Sequence, residues 1–222
     1  MKVILFGATG MVGQGVLREC LRDPEVTGVL VIGRKTVGMT QPKLIERVLP
    51  DLADLSSIET DLAGAGACFF CLGVSAAGLR EDAYRRITYD LTLAVARTLV
   101  RLNPGMTFVY VSGAGTDSTE KGRAMWARVK GATENALLAL PFKSAVMFRP
   151  GVIQPLDGIR SSTRLYRWLY TALAPFMGLL KRLFPNQITT TRLVGRAMLA
   201  VAKRAAPQRF LENRDINALG AT

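Results

Sequence analysis

The chain has 222 residues, 49% of them hydrophobic, a formal net charge of +12 and no histidine. That length and apolar content suit one domain with an elaboration, and the missing histidine removes the commonest general base and most zinc sites. Cys20, Cys68 and Cys71 are too few for a disulfide framework.

The first element is announced by "ILFGATGMVG", residues 4 to 13, where an aliphatic run breaks into Gly7, Gly10 and Gly13 and an apolar pattern then resumes. Val12, Val16, Cys20 and Leu21 follow at helical spacing. A strand, a glycine loop and a helix in that order form a phosphate cradle. Gly7 permits a tight turn, Gly10 lets backbone approach a pyrophosphate, and Gly13 lets the helix pack on the strand. The helix N-terminus then points free N–H groups at the phosphates.

The second strand ends in "VIGRK". An acid is usual here for a free ribose 2′-hydroxyl. Arg34 and Lys35 stand there instead and would attract a 2′-phosphate, which favours NADP over NAD. Further buried strands are predicted at 45–49, 67–72, 107–112 and 145–148, with helical patterns at Ile87, Leu91, Val95 and Leu99 and at Val129, Ala132, Ala136 and Leu140. The alternation predicts an α/β Rossmann-like, doubly wound parallel sheet. The C-x-x-C of Cys68 and Cys71 lies on a strand and reads as core, since a redox pair sits at a helix start.

These pieces resemble the short-chain dehydrogenase/reductase superfamily, in particular its atypical, epimerase-like members and the Tat-interacting-protein-like branch. "GATGMVG" resembles the phosphate loop, which implies Gly7, Thr9, Gly10, Met11, Val12 and Gly13 at the cofactor. "PDLADL" implies Asp51 and Leu52 around the adenine, "CLG" implies Leu72 and Gly73 beside the ribose, and "FRPGVI" implies Pro150, Gly151 and Val152 along the nicotinamide. "VYVSGAG" and "RVKGATE" resemble the segments that carry the active-site Ser112 and Lys130.

In this superfamily a tyrosine four residues before the lysine exchanges the proton while hydride moves to or from the nicotinamide. Here that position is Trp126, in "MWARVK". An indole N–H donates a hydrogen bond but is no acid or base near neutral pH. Tyr89 is an unproven substitute, with packing at the helix–sheet boundary as the alternative for Tyr84 and Tyr89 alike. Two readings stay open: an NADPH-dependent oxidoreductase or epimerase-like enzyme with an altered proton donor, and a catalytically silent NADP-binding sensor or membrane-associated scaffold. The substrate is not readable.

No Asp or Glu occurs from Gly158 to Arg204, a stretch dense in arginine and lysine. Leu165, Trp168, Leu169, Ala172 and Leu173 make an apolar stripe beside Arg160, Arg164 and Arg167, and Pro175 ends it. Residues 156–188 are expected to form a helical lid on a single domain spanning 1–222. The stripe suits a cover for the substrate cleft, a homodimer interface, or an anionic membrane surface met through 160–184. Nucleic acid is disfavoured, since no reading motif is present. Residues 186–204 read as a final helix capped within Thr189–Thr191, with a short closing segment after it. An apolar start cut by glycines argues against a signal peptide, and the longest apolar run falls short of the ~20 residues of a spanning helix. The expected location is therefore cytoplasmic, with a peripheral membrane association left open.

Overall fold

The computed structural model describes residues 1–159, 186–204 and 206–222. In chain order the elements are β1 (Lys2–Phe6), α1 (Met11–Arg22), β2 (Gly28–Gly33), β3 (Leu44–Val48), α2 (Glu59–Leu62), β4 (Ala67–Phe70), α3 (Glu81–Arg85), α4 (Leu91–Leu102), β5 (Thr107–Val111), α5 (Met125–Leu138), β6 (Ser144–Arg149), β7 (Val152–Gln154), β8 (Ile188–Thr190), α6 (Thr191–Lys203), β9 (Phe210–Glu212) and α7 (Asn213–Ala221). A π-helical turn, Arg86–Asp90, joins α3 to α4.

The main sheet has seven strands in the order β3-β2-β1-β4-β5-β6-β9, every pair parallel. Side chains alternate across it with the strand period of two. Val3, Leu5, Val29, Val31, Phe69, Val109 and Phe148 join α1, α6 and α7 in one core. Ile4, Phe6, Leu30, Ile32, Phe70, Phe108 and Met147 join the α2, α4 and α5 side in the other. Burial on both faces explains why these strands read as continuous apolar runs.

Two expectations need correction. The helix from Thr191 is not the last, because β9 and α7 follow it. The closing segment is also structural: Phe210 and Leu211 pair with Met147 and Phe148 and add the seventh strand. A three-residue strand carries too little pattern to be legible alone. The Thr190 hydroxyl does cap α6, accepting from the Leu193 N–H at 3.1 Å. The apolar stripe and the cations of 160–184, and most of the expected lid, lie outside the described residues.

Candidate active site

The strand order brings the loops after β1, β4, β5 and β6 to one edge of the sheet. Gly7 adopts φ +80°, and a Cβ there would lie 2.6 Å from the Cys71 carbonyl carbon and 2.7 Å from Leu72 N. The β1 and β4 loops therefore touch through bare backbone. A Cβ on Gly13 would come within 2.0 Å of the Gly7 carbonyl oxygen, so α1 can start this close to β1 only on glycine. Gly10 occupies the N-cap of α1, which has no side-chain cap and no acid in its first turn; Met11, Val12 and Gly13 supply that turn. The N–H groups and the positive end of the helix dipole are free for an anion.

Beside this loop lies a cavity of about 430 Å³ lined by Gly7, Thr9, Gly33, Arg34, Lys35, Leu52 and Leu72, among others. Arg34 and Lys35 are exposed, and no acid pairs with either among the described residues. Glycine backbone, a helix N-terminus, two unengaged cations and an apolar side at Leu52 and Leu72 fit a dinucleotide's phosphates and adenosine half. Asp51 is exposed and accepts from the Ala53 N–H at 2.8 Å; Gly73 is exposed one residue beyond Leu72.

The β5 and β6 end is built differently. Trp126, Lys130 and Glu134 are spaced i, i+4, i+8 on α5 and so share one helical face. The Lys130 ammonium donates to the Ser112 carbonyl oxygen. Burial pushes the Lys130 pKa down to about 8, and the charge of Glu134 opposes that shift. The buried Ser112 hydroxyl contacts Glu134 Oε1 at 2.5 Å and the Phe148 carbonyl at 3.1 Å. Its one proton is thus engaged within the protein.

Glu134 is wholly buried and is gripped by Arg149, whose Nε donates at 3.0 Å and whose Nη2 takes the other carboxylate oxygen. Arg149 also bonds Ser118 and Glu212 and stacks over Phe210, its carbon Cζ 4.6 Å from the ring centre. Sequence reasoning missed both Glu134 and Arg149. The signal for Glu134 was its one-turn spacing from Lys130; Arg149 carried none, because its partners come from α5, the loop after β5 and β9.

The loop after β5 is stapled by Asp117, which accepts from Thr119 and from the Gly122 N–H. It crosses α5 so closely that a Cβ on Gly131 would lie 1.8 Å from the Asp117 carbonyl oxygen. Trp126 packs against this loop: a Cβ on Gly115 would sit 3.5 Å from the indole edge. Pro150 accepts from the Ala114 N–H at 2.9 Å, Gly151 donates to Asn213 Oδ1 at 3.0 Å, and Val152 is half exposed at the start of β7. Tyr84 is buried, and desolvation raises its pKa despite a hydrogen bond with Thr88. Tyr89 is half-buried on the π-helical turn, with the Arg85 guanidinium 4.0 Å over its ring.

This is the Rossmann-like fold of the short-chain dehydrogenases and reductases, seen in reductases and epimerases alike. The chain aligns over 98% of its length with 97% of a short chain dehydrogenase/reductase of Saccharomyces cerevisiae, at a TM-score of 0.66 and 13% identity. It aligns over its whole length with 81% of MoeE5, solved with UDP-glucose and NAD, at a TM-score of 0.65 and 16% identity. No family model matches the chain. A curated relative from Aspergillus terreus, protein fmp52-1, mitochondrial, is 31% identical over 182 residues, which cover 79% of this chain and 75% of that protein. Protein fmp52, mitochondrial, of Emericella nidulans is 33% identical over 158 residues, 68% of this chain and 66% of the relative. The chain belongs to the FMP52 family. The expectation of a cytoplasmic protein is corrected by these relatives, which are named as mitochondrial proteins, that of Saccharomyces cerevisiae included.

Proposed function

We propose that the protein is an NADP-dependent oxidoreductase of the short-chain dehydrogenase/reductase type, with a proton donor other than the superfamily's tyrosine. The observation that carries this reading is the cavity in which Gly7, Thr9, Arg34, Lys35, Leu52 and Leu72 meet the N-terminus of α1. Arg34 and Lys35 hold the 2′-phosphate; Gly7 to Gly13 hold the pyrophosphate; Pro150 to Val152 border the nicotinamide. When bound, the reduced cofactor supplies a hydride, so reducing a carbonyl to an alcohol requires one proton from the chain or from water.

Lys130 is the chain's candidate for that proton. With a pKa of about 8 it is mostly an ammonium at neutral pH and gives up a proton more readily than a free lysine. Its anchor on the Ser112 carbonyl fixes the ammonium beside the β5 loop. Ser112, its hydroxyl engaged by Glu134, acts first through that backbone carbonyl.

A second reading has its own observation. Trp126 packs on the Gly115 loop where the proton-transferring phenol is expected, and the Ser112 hydroxyl is spent inside the protein. Both favour a sensor that holds NADP without turnover.

Two measurements test these readings, the first their shared cofactor and the second the chemistry that divides them. Calorimetry with NADP and NAD tests the cofactor: NADP binds more tightly, and equal affinity removes the preference. NADPH oxidation across aldehydes and ketones, by wild type and by Trp126→Tyr, tests the chemistry. Restored acid catalysis is worth ~10²–10⁴-fold, so a rise of that order is expected in the variant. No turnover by either protein, with NADP affinity intact, leaves the sensor reading.

A further inference from the structure

A second cavity, of about 620 Å³, borders the first and shares Ala8 and Thr9 with it. Its lining includes one flank of α1, the connection between β2 and β3, and Asp157 to Ile159. On α1, Leu21 offers apolar surface beside the cations Arg18 and Arg22, while Leu17, one turn earlier, is buried in the core beneath it. Val37 and Met39 extend the apolar side, and Met39 is 48% exposed there.

Among the described residues, the cations on and behind this rim outnumber their acids. Asp157 is shared between Arg18, at 3.5 Å, and Arg192, at 2.9 Å. Glu19 is shared between Arg22, at 3.6 Å, and Arg196, at 3.2 Å. Four guanidinium groups on two carboxylates leave two positive charges in excess where α1 meets α6. The nearby Lys203 is already answered by Asp23 and Glu25. Asp157 also holds a left-handed backbone, φ +60°, which a non-glycine residue adopts at a cost. Its carboxylate is itself an anion seated between two arginines at the edge of the cavity.

We propose that this cavity binds a single-chain anionic amphiphile, its carboxylate or phosphate head against Arg18 and Arg22 and its chain along Leu21, Val37 and Met39. A wholly polar anion leaves the apolar row against water, and an uncharged apolar molecule leaves the surplus charge unanswered. The volume falls within the ~300–1,000 Å³ usual for small-molecule sites. The inference does not depend on the nucleotide reading, because the two cavities share only Ala8 and Thr9.

Calorimetry on the whole chain with dodecyl phosphate below its micelle concentration, with and without saturating NADP, tests it. NADP's own titration in the same series keeps the two sites apart. The expected result is one-to-one binding that persists with NADP present. Loss of one charge-assisted contact should weaken it about tenfold in Arg18→Gln and in Arg22→Gln. Leu21→Gln, which wets the apolar row, should weaken it as well. Unfolding midpoints within a few degrees of wild type show that the variants are folded, and Arg22, already 54% exposed, is the safest of them. Dodecyl maltoside and inorganic phosphate should show no saturable binding. Absence of dodecyl phosphate binding to wild type, displacement by NADP, equal affinity for the neutral or the chainless probe, or full affinity in both arginine variants would each overturn the proposal.

Discussion

The two ends of the sheet's functional edge are made of different materials. At β1 and β2 the structure is backbone: glycines where a Cβ would collide, a helix N-terminus, and two arginine and lysine side chains standing free of acids. At β5 and β6 it is side chain. Ser112, Lys130, Glu134 and Arg149 are bonded into one chain of contacts, and the groups that resemble a catalytic set are partly consumed by holding each other. The first end leaves helix N–H groups and two cations unpaired among the described residues; the second is internally satisfied and sits around an indole. Backbone cradles tolerate little substitution but are local, whereas a buried network depends on partners that arrive from distant parts of the chain.

The largest effect should come from breaking the second end. Glu134→Ala leaves Arg149, only 14% exposed, without its main partner. Removing one member of a buried pair costs about 3–5 kcal/mol, read as a fall in the urea midpoint. Loss of under about 1 kcal/mol would show that water replaces the carboxylate and that the network is not a stabilising unit.

The first end breaks by crowding. Gly13→Ala places a methyl 2.0 Å from the Gly7 carbonyl oxygen, whereas Gly10→Ala meets that oxygen at 3.3 Å. Overpacking costs about 1–3 kcal/mol, so Gly13→Ala should lose about 3 kcal/mol and NADP binding with it. Gly10→Ala should retain the fold and lose affinity only modestly. Equal behaviour of the two variants would refute the close approach of α1 to β1.

A smaller change sharpens the contrast in charge. Arg34→Ala should leave stability within about 0.5 kcal/mol, since it is an exposed side chain. It should weaken NADP about tenfold, with NAD affinity unchanged. A parallel loss for both cofactors would move Arg34 from the 2′-phosphate to the pyrophosphate.

A further effect is in pH. Lys130 carries its proton below about 8 in the folded chain, against about 10.4 for an unfolded lysine. Between those values the unfolded chain binds more protons, so this group's share of stability rises with pH through that window. If the ammonium faces the cofactor, NADP affinity declines over the same range, and Lys130→Met flattens the decline. Glu134 raises the Lys130 pKa, so Glu134→Gln should move the midpoint below 8. A midpoint unmoved in Glu134→Gln would mean that the two charges do not sense each other.

Much of the fold was legible from local pattern. The six strands read from apolar runs are all present; five of them are buried on both faces and need continuous hydrophobic residues, whereas β3 is a half-exposed edge strand. Strand β9 was not legible: Phe210–Glu212 is a strand only because β6 offers it an edge. The glycine loop after β1 was readable because its requirement is local, as glycine is needed wherever no Cβ fits. Ser112 and Lys130 could be picked out as residues, but not what holds them.

The sequence by itself therefore determined the parallel sheet, the glycine cradle, the cationic end of β2 and the indole one turn before Lys130. These follow from period, turn chemistry and spacing within one element. Only the tertiary structure decided that the Ser112 hydroxyl meets Glu134, that Arg149 ties β6 to β9, and that the arginines of α1 and α6 share two carboxylates. Apart from the Arg22–Glu19 pair on α1, those contacts join residues far apart in the chain. Their energies come from burial and pairing, and no stretch of sequence contains both partners.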